Sequence, residues 1–434
     1  MGRASAFFAV LACMLIFAGC AVNPATGKSE LALVPVSTSQ EIALGQKEFP
    51  RAVQEMGGEY PDPQLHVYLN EVGMRVARQS QRPALPYEFE VVNDSTPNAF
   101  ALPGGFIAIT RGLLDNLDNE AELAAVLGHE VGHVAARHAV AGMQRGTLLN
   151  GALSVLSAAT GNTSYGSLAE RAGKLSADLI DKSYSRDQER QADRLGIDYM
   201  VRAKYNPEGA VQVQELFYRK LEGGAQPQWL SGLFRTHPFS RERMEDNRSY
   251  ILSHYPQDLN RPDFGFGVEA FRAATAGLRK TREGYVLYDK ARGLEKKGED
   301  AKAVAVYLQA AAAAPDEALI RAGLGTAYLK AGDLNSAHRQ LALAVHEDGN
   351  YYYSRLGLGY VYLQKGETGR ALKELEASMK LLPTLSGEYL LAEGYEKSGQ
   401  RQKALTLYRT LARSDAEGTL GRAAARRVRA LEGK

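Results

Sequence analysis

The segment HEVGH at residues 129–133 places two histidines and a glutamate at a spacing that suits metal chemistry. His129 and His133 are four positions apart, about 40° around a helix, so both imidazoles face the same point. Glu130 lies beside that face and could take a proton from a water near the metal. The surrounding stretch is apolar, which disfavours the alternative of two surface histidines, because unpaired imidazoles are costly to bury. The spacing therefore predicts a zinc site, one Zn²⁺ per chain, with Glu130 as general base.

A zinc site of this kind needs a third protein ligand. His138 lies five positions after His133, about 140° away on a helix, so it points elsewhere and is predicted to be an ordinary exposed histidine. A carboxylate from a later segment is the remaining option. On spacing alone the candidates are Glu170, Asp187, Glu189 and Asp193. The last two are four apart and would share a helix face, although carboxylates on polar helices are usually just solvated.

A small sheet and several helices must hold these residues. YEFEVVN (87–93) alternates as a strand does, and a second strand is predicted at 106–110 after a Pro-Gly-Gly bend. The helix that carries HEVGH is predicted to begin near Asn119, and a later helix near Ser185, each with a capping box.

Alanines, tyrosines and glycines recur regularly past residue 280. At intervals of 34, 34 and 33 residues stand Ala303, Ala337, Ala371 and Ala404. Glycines at the matching turn positions are Gly332, Gly366 and Gly399. A period of 34 is typical of tetratricopeptide repeats, and an irregular helical bundle would not keep such columns in register. The predicted fold is mainly α, with an α+β zincin-like metallopeptidase domain containing a small sheet, followed by an α-solenoid of tetratricopeptide repeats.

Four segments together resemble a known peptidase family. They are NAFALPGGFIAITRGLL (98–114), HEVGH (129–133), ERQADRLG (189–196) and THPFSRERM (236–244). In this order they resemble the HtpX-like zinc peptidases, whose relatives include the CAAX prenyl proteases. The chain looks most like the exported members with C-terminal tetratricopeptide repeats, the β-barrel assembly-enhancing type. The resemblance covers roughly residues 40 to 250 and the repeat architecture.

The resemblance implies roles for further residues. Glu189 would be the third zinc ligand, and Asp193 would accept a hydrogen bond from a ligand histidine. His237 would lie close to the zinc, stabilising the oxyanion or filling the open coordination position, although a His-Pro in a loop is often unremarkable. A substrate-binding edge strand would comprise Asn98, Ala99, Phe100, Ala101 and Leu102. Such a strand pairs with an extended backbone of any sequence, and a plain hairpin is the alternative.

The amino terminus has the features of an export signal. Arg3 precedes an apolar run at 6–18 that is too short to cross a bilayer comfortably, so 1–19 is predicted to be a signal peptide. The ending FAGC resembles a lipobox, so Cys20 would be acylated, with a cleaved soluble periplasmic protein as the alternative. By the same resemblance Ala21 suggests the outer membrane. With Cys20 alone in the mature chain, an internal disulfide and a cysteine-ligated structural zinc are excluded.

These features divide the chain into four parts. They are a signal peptide at 1–19, a tether at 20–38, a zinc metallopeptidase domain at 39–265 and a tetratricopeptide repeat domain at 280–434. A Gly-, Ser- and Ala-rich segment at 146–180 is interpreted as a helical hairpin or a mobile flap next to the site. The net charge of +2 gives no reason to expect nucleic acid as a partner.

The predicted function is a zinc-dependent endopeptidase of the bacterial envelope that acts in protein quality control in the periplasm, with membrane contact through a lipid anchor if Cys20 is acylated. Unfolded or misassembled envelope proteins would be its substrates. The resemblance implies the outer-membrane barrel assembly machinery as a partner of the repeats. The alternative is a chaperone-like scaffold with a latched or rarely used peptidase site. A purely structural zinc protein is disfavoured because it would have no use for Glu130.

Overall fold

The computed structural model describes residues 19–23, 25, 27, 29–32, 36–144, 183–222, 237 and 240–433. The predicted signal peptide up to residue 18 and the segment at 146–180 lie outside these residues. The described part of the chain is mainly helical, with one two-stranded and one three-stranded sheet. None of its helices combines the length and the apolar character needed to cross a bilayer.

A β-hairpin occupies part of the segment predicted to be a tether. Strand β1 (Gly19–Val22) pairs antiparallel with strand β2 (Ser29–Ala32). In the turn, the Gly27 N–H donates to the Asn23 carbonyl (2.8 Å), and the glycine adopts a left-handed φ of 64°. The Asn23 side chain also donates to a backbone carbonyl in the turn after HEVGH (2.7 Å). This segment therefore packs on the domain that follows, a contact that its short and aperiodic sequence did not indicate.

The three-stranded sheet consists of β3 (Glu88–Val92), β4 (Ala99–Leu102) and β5 (Phe106–Thr110). Strand β5 is central, parallel to β3 and antiparallel to β4, so β4 is an edge strand among the described residues. Gly104 and Gly105, with φ of 88° and 105°, form the tight connection from β4 to β5. The strands predicted at 87–93 and 106–110 are thus both present.

Helices surround this sheet. They are α1 (Thr38–Glu55), α2 (Pro63–Ala77), α3 (Arg111–Leu114), α4 (Glu120–Ala135), α5 (Arg186–Arg202), α6 (Glu208–Glu222), α7 (Arg241–His254) and α8 (Val268–Ala274). Ser185 caps α5 with the predicted capping box. Asn119 caps α4 as predicted, but the Glu122 carboxylate accepts from the Asp118 N–H (2.8 Å) instead of completing a capping box.

The remaining helices form the predicted repeats in pairs, followed by one last helix. They are α9 (Ala276–Lys296), α10 (Asp300–Ala313), α11 (Ala318–Lys330), α12 (Leu334–Glu347), α13 (Tyr352–Gln364), α14 (Thr368–Leu381), α15 (Leu385–Lys397), α16 (Arg401–Ser414) and α17 (Thr419–Glu432). The predicted turn glycines adopt φ of 76° to 79°, as glycine readily does after a helix. Gly298, with φ of 74°, occupies the same position in the first unit.

The repeats pack directly on the N-terminal region. Tyr285 of α9 accepts a hydrogen bond from the Asn93 amide (3.0 Å), and the Arg111 guanidinium lies 3.5 Å from the centre of the Tyr285 ring. At the end of α1, the Gln54 side chain bonds the backbone of Asn350 and Tyr352 (2.7 and 2.9 Å). The first and third repeats are therefore both held against the domain that carries HEVGH.

Candidate metal centre

Helix α4 supplies the first three residues of the site. The Nε2 atoms of His129 and His133 lie 3.0 Å apart, as the four-residue spacing predicts. Glu130 and His133 are buried, each with 2% of its surface exposed. The helix thus holds two imidazoles and a carboxylate inside the domain, close to the edge strand β4.

Glycines allow α5 to approach α4 closely. A Cβ on Gly132 would lie 2.9 Å from the carbonyl oxygen of Ala192, and a Cβ on Gly128 would lie 3.0 Å from that of Gly196. Larger residues at these positions would force the two helices apart. This close packing brings the carboxylates of α5 to the histidines of α4.

The four candidate carboxylates that could not be distinguished by spacing lie in different positions relative to the histidines. Glu189 is buried, and its Oε1 lies 3.5 Å from the His133 Nε2 while its Oε2 lies 3.5 Å from the His129 Nε2. Asp193 instead faces the other side of His129, with its Oδ1 2.9 Å from the Nδ1. Asp187 is exposed and pairs with Arg190 (3.0 Å), while Glu170 lies outside the described residues.

His237 joins the same group of atoms. Its Nδ1 lies 3.2 Å from the His129 Nε2 and 3.1 Å from the Glu189 Oε1. Its Nε2 is 3.5 Å from the Glu130 Oε1, and the side chain is buried. Four side chains therefore present ligand atoms within 4.8 Å of one another: His129, His133, Glu189 and His237.

The spacing of these atoms suits a small tetrahedral cation. Zinc ligands at about 2.0–2.1 Å in a tetrahedron are separated from one another by about 3.3 Å. The nearest-neighbour distances in this group run from 3.0 to 3.5 Å. Imidazole nitrogen and carboxylate oxygen are also the donor types that zinc takes in catalytic sites. The residues present therefore fit the metal that the sequence predicts.

A second layer of side chains orients the ligand atoms. Asp193 accepts a hydrogen bond from the Nδ1 of His129, which directs the Nε2 of that ring into the group. The buried Arg243 of α7 donates from Nε and Nη2 to both carboxylate oxygens of Asp193 (2.9 and 2.8 Å). Its Nη1 lies 2.8 Å from the Glu189 Oε2. Sequence reasoning missed the role of Arg243, although this residue lies within the THPFSRERM segment.

The electrostatics of the group favour positive charge at its centre. Burial alone would lower the pKa of His129, but hydrogen bonds and charges from Asp193 and Glu189 raise it to about 10. Burial would raise the pKa of Glu189, but His237 and His129 hold it well below its usual range. Burial raises the pKa of Glu130, against the opposing effect of the nearby histidines. The group therefore stabilises a cation, and the carboxylate of Glu130 beside it is more basic than an ordinary glutamate.

The prediction that His138 is an ordinary exposed residue is wrong. Only 2% of its surface is exposed, and its Nδ1 lies 2.9 Å from the Nδ1 of His133. The extrapolation failed because α4 ends at Ala135 and the chain turns at Arg137, whose φ of 55° is left-handed. The His138 ring therefore lies back against helix α4. There its Nδ1 contacts the Nδ1 of His133, the ring nitrogen that faces away from the other candidate ligands.

The residues of the predicted substrate strand lie alongside α4. The Asn98 N–H donates to the Thr110 Oγ1 (2.9 Å), and the Asn98 carbonyl accepts from the Thr110 N–H (2.9 Å), which anchors the start of the strand. All four residues of β4, Ala99, Phe100, Ala101 and Leu102, are buried. Because β4 forms the edge of the described sheet, its outer side is the one not paired with β5.

An apolar cavity of about 60 Å³ lies next to the group, where Ala99 of β4 meets His129 and Glu130. Its remaining walls combine polar side chains of Asp193, His237 and Arg243 with a larger apolar part. The apolar part includes Leu113, Val126, Ile197, Val213 and Phe217. Farther along β4, Ala101 and Leu102 line a smaller cavity of about 10 Å³ with His133. Strand β4 thus lines two cavities, one with His129 and Glu130 and the other with His133.

Comparison with known proteins finds a sequence relative that covers most of the chain. The β-barrel assembly-enhancing protease of Escherichia coli (strain K12) is 26% identical over 383 residues, which cover 86% of this chain and 73% of that protein. The solved structure of YrrB, a TPR protein, is 19% identical and covers 42% of this chain and 89% of its own, with a TM-score of 0.30. The assignment of the repeats here rests on the helices themselves.

Family membership follows from the N-terminal region. Metalloprotease LoiP of Escherichia coli (strain K12) is 33% identical over 216 residues, which cover 49% of this chain and 79% of that protein. The profile of peptidase family M48 matches residues 63–251, a range that contains every residue of the candidate metal centre. Because the profile match contains the HEVGH helix and its partners, and because this chain covers 79% of a metalloprotease to which it is 33% identical, the chain belongs to peptidase family M48.

Proposed function

We propose that this chain is a zinc-dependent endopeptidase with one Zn²⁺, held by His129, His133 and Glu189. The observation that supports this most directly is the buried convergence of these three side chains with Glu130 immediately beside them. When bound, zinc would polarise the scissile carbonyl and make a water more acidic.

Glu130 would act as general base and then as general acid. One of its oxygens, Oε2, is buried and has no hydrogen-bond partner among the described residues, so it is available to a water or a substrate. Burial raises the pKa of this carboxyl, which makes it a better proton acceptor. Glu130 would take a proton from the attacking water and deliver it to the leaving amine.

The edge strand β4 would bind the substrate backbone. An extended peptide paired with the outer side of β4 would gain main-chain hydrogen bonds that do not depend on sequence. One side chain of the bound peptide would enter the apolar cavity beside Glu130. The cavity therefore favours substrates with an apolar side chain near the scissile bond, a feature that unfolded proteins expose.

Filling this cavity should change substrate preference. Val213→Phe places a ring in the cavity, so we expect kcat/KM for peptides with a large apolar side chain to fall about tenfold or more. Peptides with alanine at that position should be cleaved at nearly the original rate. Leu216→Phe, on the same helix and packed against the core, is the matched control. An equal loss for both peptides would mean that the cavity does not bind a side chain.

The cellular setting is proposed from the amino terminus and from the relatives. The FAGC ending supports a lipoprotein acylated at Cys20 and anchored to the outer membrane, with its domains in the periplasm. The similarity to a β-barrel assembly-enhancing protease supports outer-membrane proteins that are misfolded or stalled in assembly as substrates. The repeats would then recognise these clients or the assembly machinery through their concave surface.

The position of His237 favours a second candidate function. Its Nδ1 lies 3.2 Å from the His129 Nε2 and 3.1 Å from the Glu189 Oε1, so it is one of the clustered ligand atoms. A residue that only donates to an oxyanion would lie outside this cluster. In that position His237 would act as a fourth ligand and exclude water from the metal. The protein would then be a scaffold with a latched peptidase site.

Metal removal and reconstitution test both candidates. The purified mature chain should contain one zinc, and a chelator should abolish its cleavage of a reduced, unfolded test protein until one equivalent of zinc is returned. A chain without zinc affinity would overturn the metal assignment. One zinc with no cleavage would support the latched site, in which case His237→Ala should activate cleavage.

A further inference from the structure

His138 and Gln191 form a chain of side chains behind the ligand His133. The Nδ1 of His138 lies 2.9 Å from the Nδ1 of His133, on the side of the ring opposite the proposed metal. The Nε2 of His138 lies 2.8 Å from the Oε1 of Gln191. His138 is buried, and Gln191 belongs to α5, the helix that also carries Glu189.

We propose that His138, fixed by Gln191, is the positioning residue that sets the tautomer and the orientation of His133 as a metal ligand. This inference rests on the proposed zinc site. The Nε2 of His133 faces the other ligand atoms, 3.0 Å from that of His129, so its lone pair must point into the group and its Nδ1 must carry the hydrogen. That N–H donates to the Nδ1 of His138, whose own Nε2–H donates to the Gln191 amide oxygen.

The two ligand histidines are therefore held by partners of different chemical types. His129 donates to a carboxylate, Asp193, whereas His133 donates to a neutral imidazole that a neutral amide holds in place. An imidazole is a specific partner because only one of its tautomers can accept from His133. Gln191 selects that tautomer, since its carbonyl oxygen accepts the hydrogen on the far nitrogen of His138.

The turn after α4 is built to deliver His138 to this position. Arg137 takes a left-handed φ of 55°, a conformation that is strained in a residue with a side chain. Its guanidinium pairs with the buried Glu41 (2.5 Å), which also pairs with Arg82 (2.8 Å). These ion pairs hold the turn, so the reversal of the chain at this point is a fixed part of the site.

Zinc affinity measured on the Glu130→Gln background tests this role without relying on cleavage. Outer partners of ligand histidines typically contribute about 10–100-fold to metal affinity. Competition with a chromophoric chelator should therefore show about 10–100-fold weaker zinc binding for His138→Leu. His138→Asn should recover most of that affinity, because its amide oxygen can accept from the His133 Nδ1–H. His254→Leu, at an exposed histidine of α7, should bind zinc as the parent does.

Several outcomes separate this inference from its alternatives. Unchanged zinc affinity in a folded His138→Leu would overturn it, and so would equal losses in His138→Leu and His138→Asn, which would indicate packing alone. If His138→Leu does not fold, Gln191→Leu decides, with weaker zinc binding expected and an unchanged affinity contradicting the inference. A parent protein that binds no zinc would instead refute the proposed function.

Discussion

Glu130→Gln is expected to abolish most cleavage while leaving the zinc content unchanged. Glutamine has nearly the same shape as glutamate but cannot accept a proton at neutral pH, so the variant loses general base catalysis only. Such catalysis contributes about 10²–10⁴-fold, and kcat should fall by a factor in that range. Zinc per chain and the rate of cleavage of an unfolded protein, measured on the same samples, check this prediction.

Glu122→Gln is the matched control for this experiment. Glu122 lies on the same helix and is also buried, but its carboxylate accepts a hydrogen bond from the Asp118 N–H near the helix N-terminus. The amide oxygen of the introduced glutamine can keep that bond, and only the bond from the Asn119 amide (2.9 Å) is lost, about two helical turns from His129, so cleavage should persist. Full cleavage by zinc-loaded Glu130→Gln would place the base elsewhere. Loss of zinc from the same variant would instead make Glu130 a ligand.

The parts of the site that could be predicted from sequence are those that a single helix determines. His129 and His133 converge because four residues make a little over one helical turn, which requires no knowledge of the rest of the fold. The repeats were predictable for a similar reason, since each unit contacts mainly its neighbours and repeats the same spacing. The choice of Glu189 needed the family resemblance, because its distance from α4 depends on how two helices pack.

Two features of the site escaped local reasoning for identifiable physical causes. His138 was assigned by extending α4 past its end, whereas the left-handed Arg137 reverses the chain there. Arg243 gave no local signal because its partners lie 50 and 54 positions earlier, and its helix is polar with little apolar periodicity. Gly128 and Gly132, four positions apart on one helix face, did indicate close packing of another helix, but this signal bears on the position of Glu189 and not on His138 or Arg243.

Arg243→Leu should destabilise the candidate metal centre. The substitution removes the guanidinium that Asp193 and Glu189 share and leaves only histidines to pair with these buried carboxylates, and breaking a buried ion pair in this way costs about 3–5 kcal/mol. Bound zinc should offset part of the loss, because it supplies positive charge to Glu189 directly and to Asp193 through His129. Urea unfolding, monitored by hydrogen exchange of the backbone amides in α4 and α5 with and without zinc, measures both effects.

The pH dependence of this loss has a definite sign. Burial would raise the pKa of Asp193, but Arg243 and His129 hold it below its ordinary value of 3.8, so the pairing stabilises the fold above that pH and is lost as pH falls. Without Arg243 the buried carboxyl should take up a proton more readily, so the difference in stability between the two proteins should shrink as pH falls toward and below 3.8. Arg248→Leu, which removes an exposed guanidinium paired with Glu215 (2.9 Å), should cost at most about 1 kcal/mol. Equal losses of unfolding free energy in the two variants would mean that Arg243 contributes no more than an ordinary surface charge. The hydrogen bonds from α7 through Asp193 would then have no special role in holding the ligands.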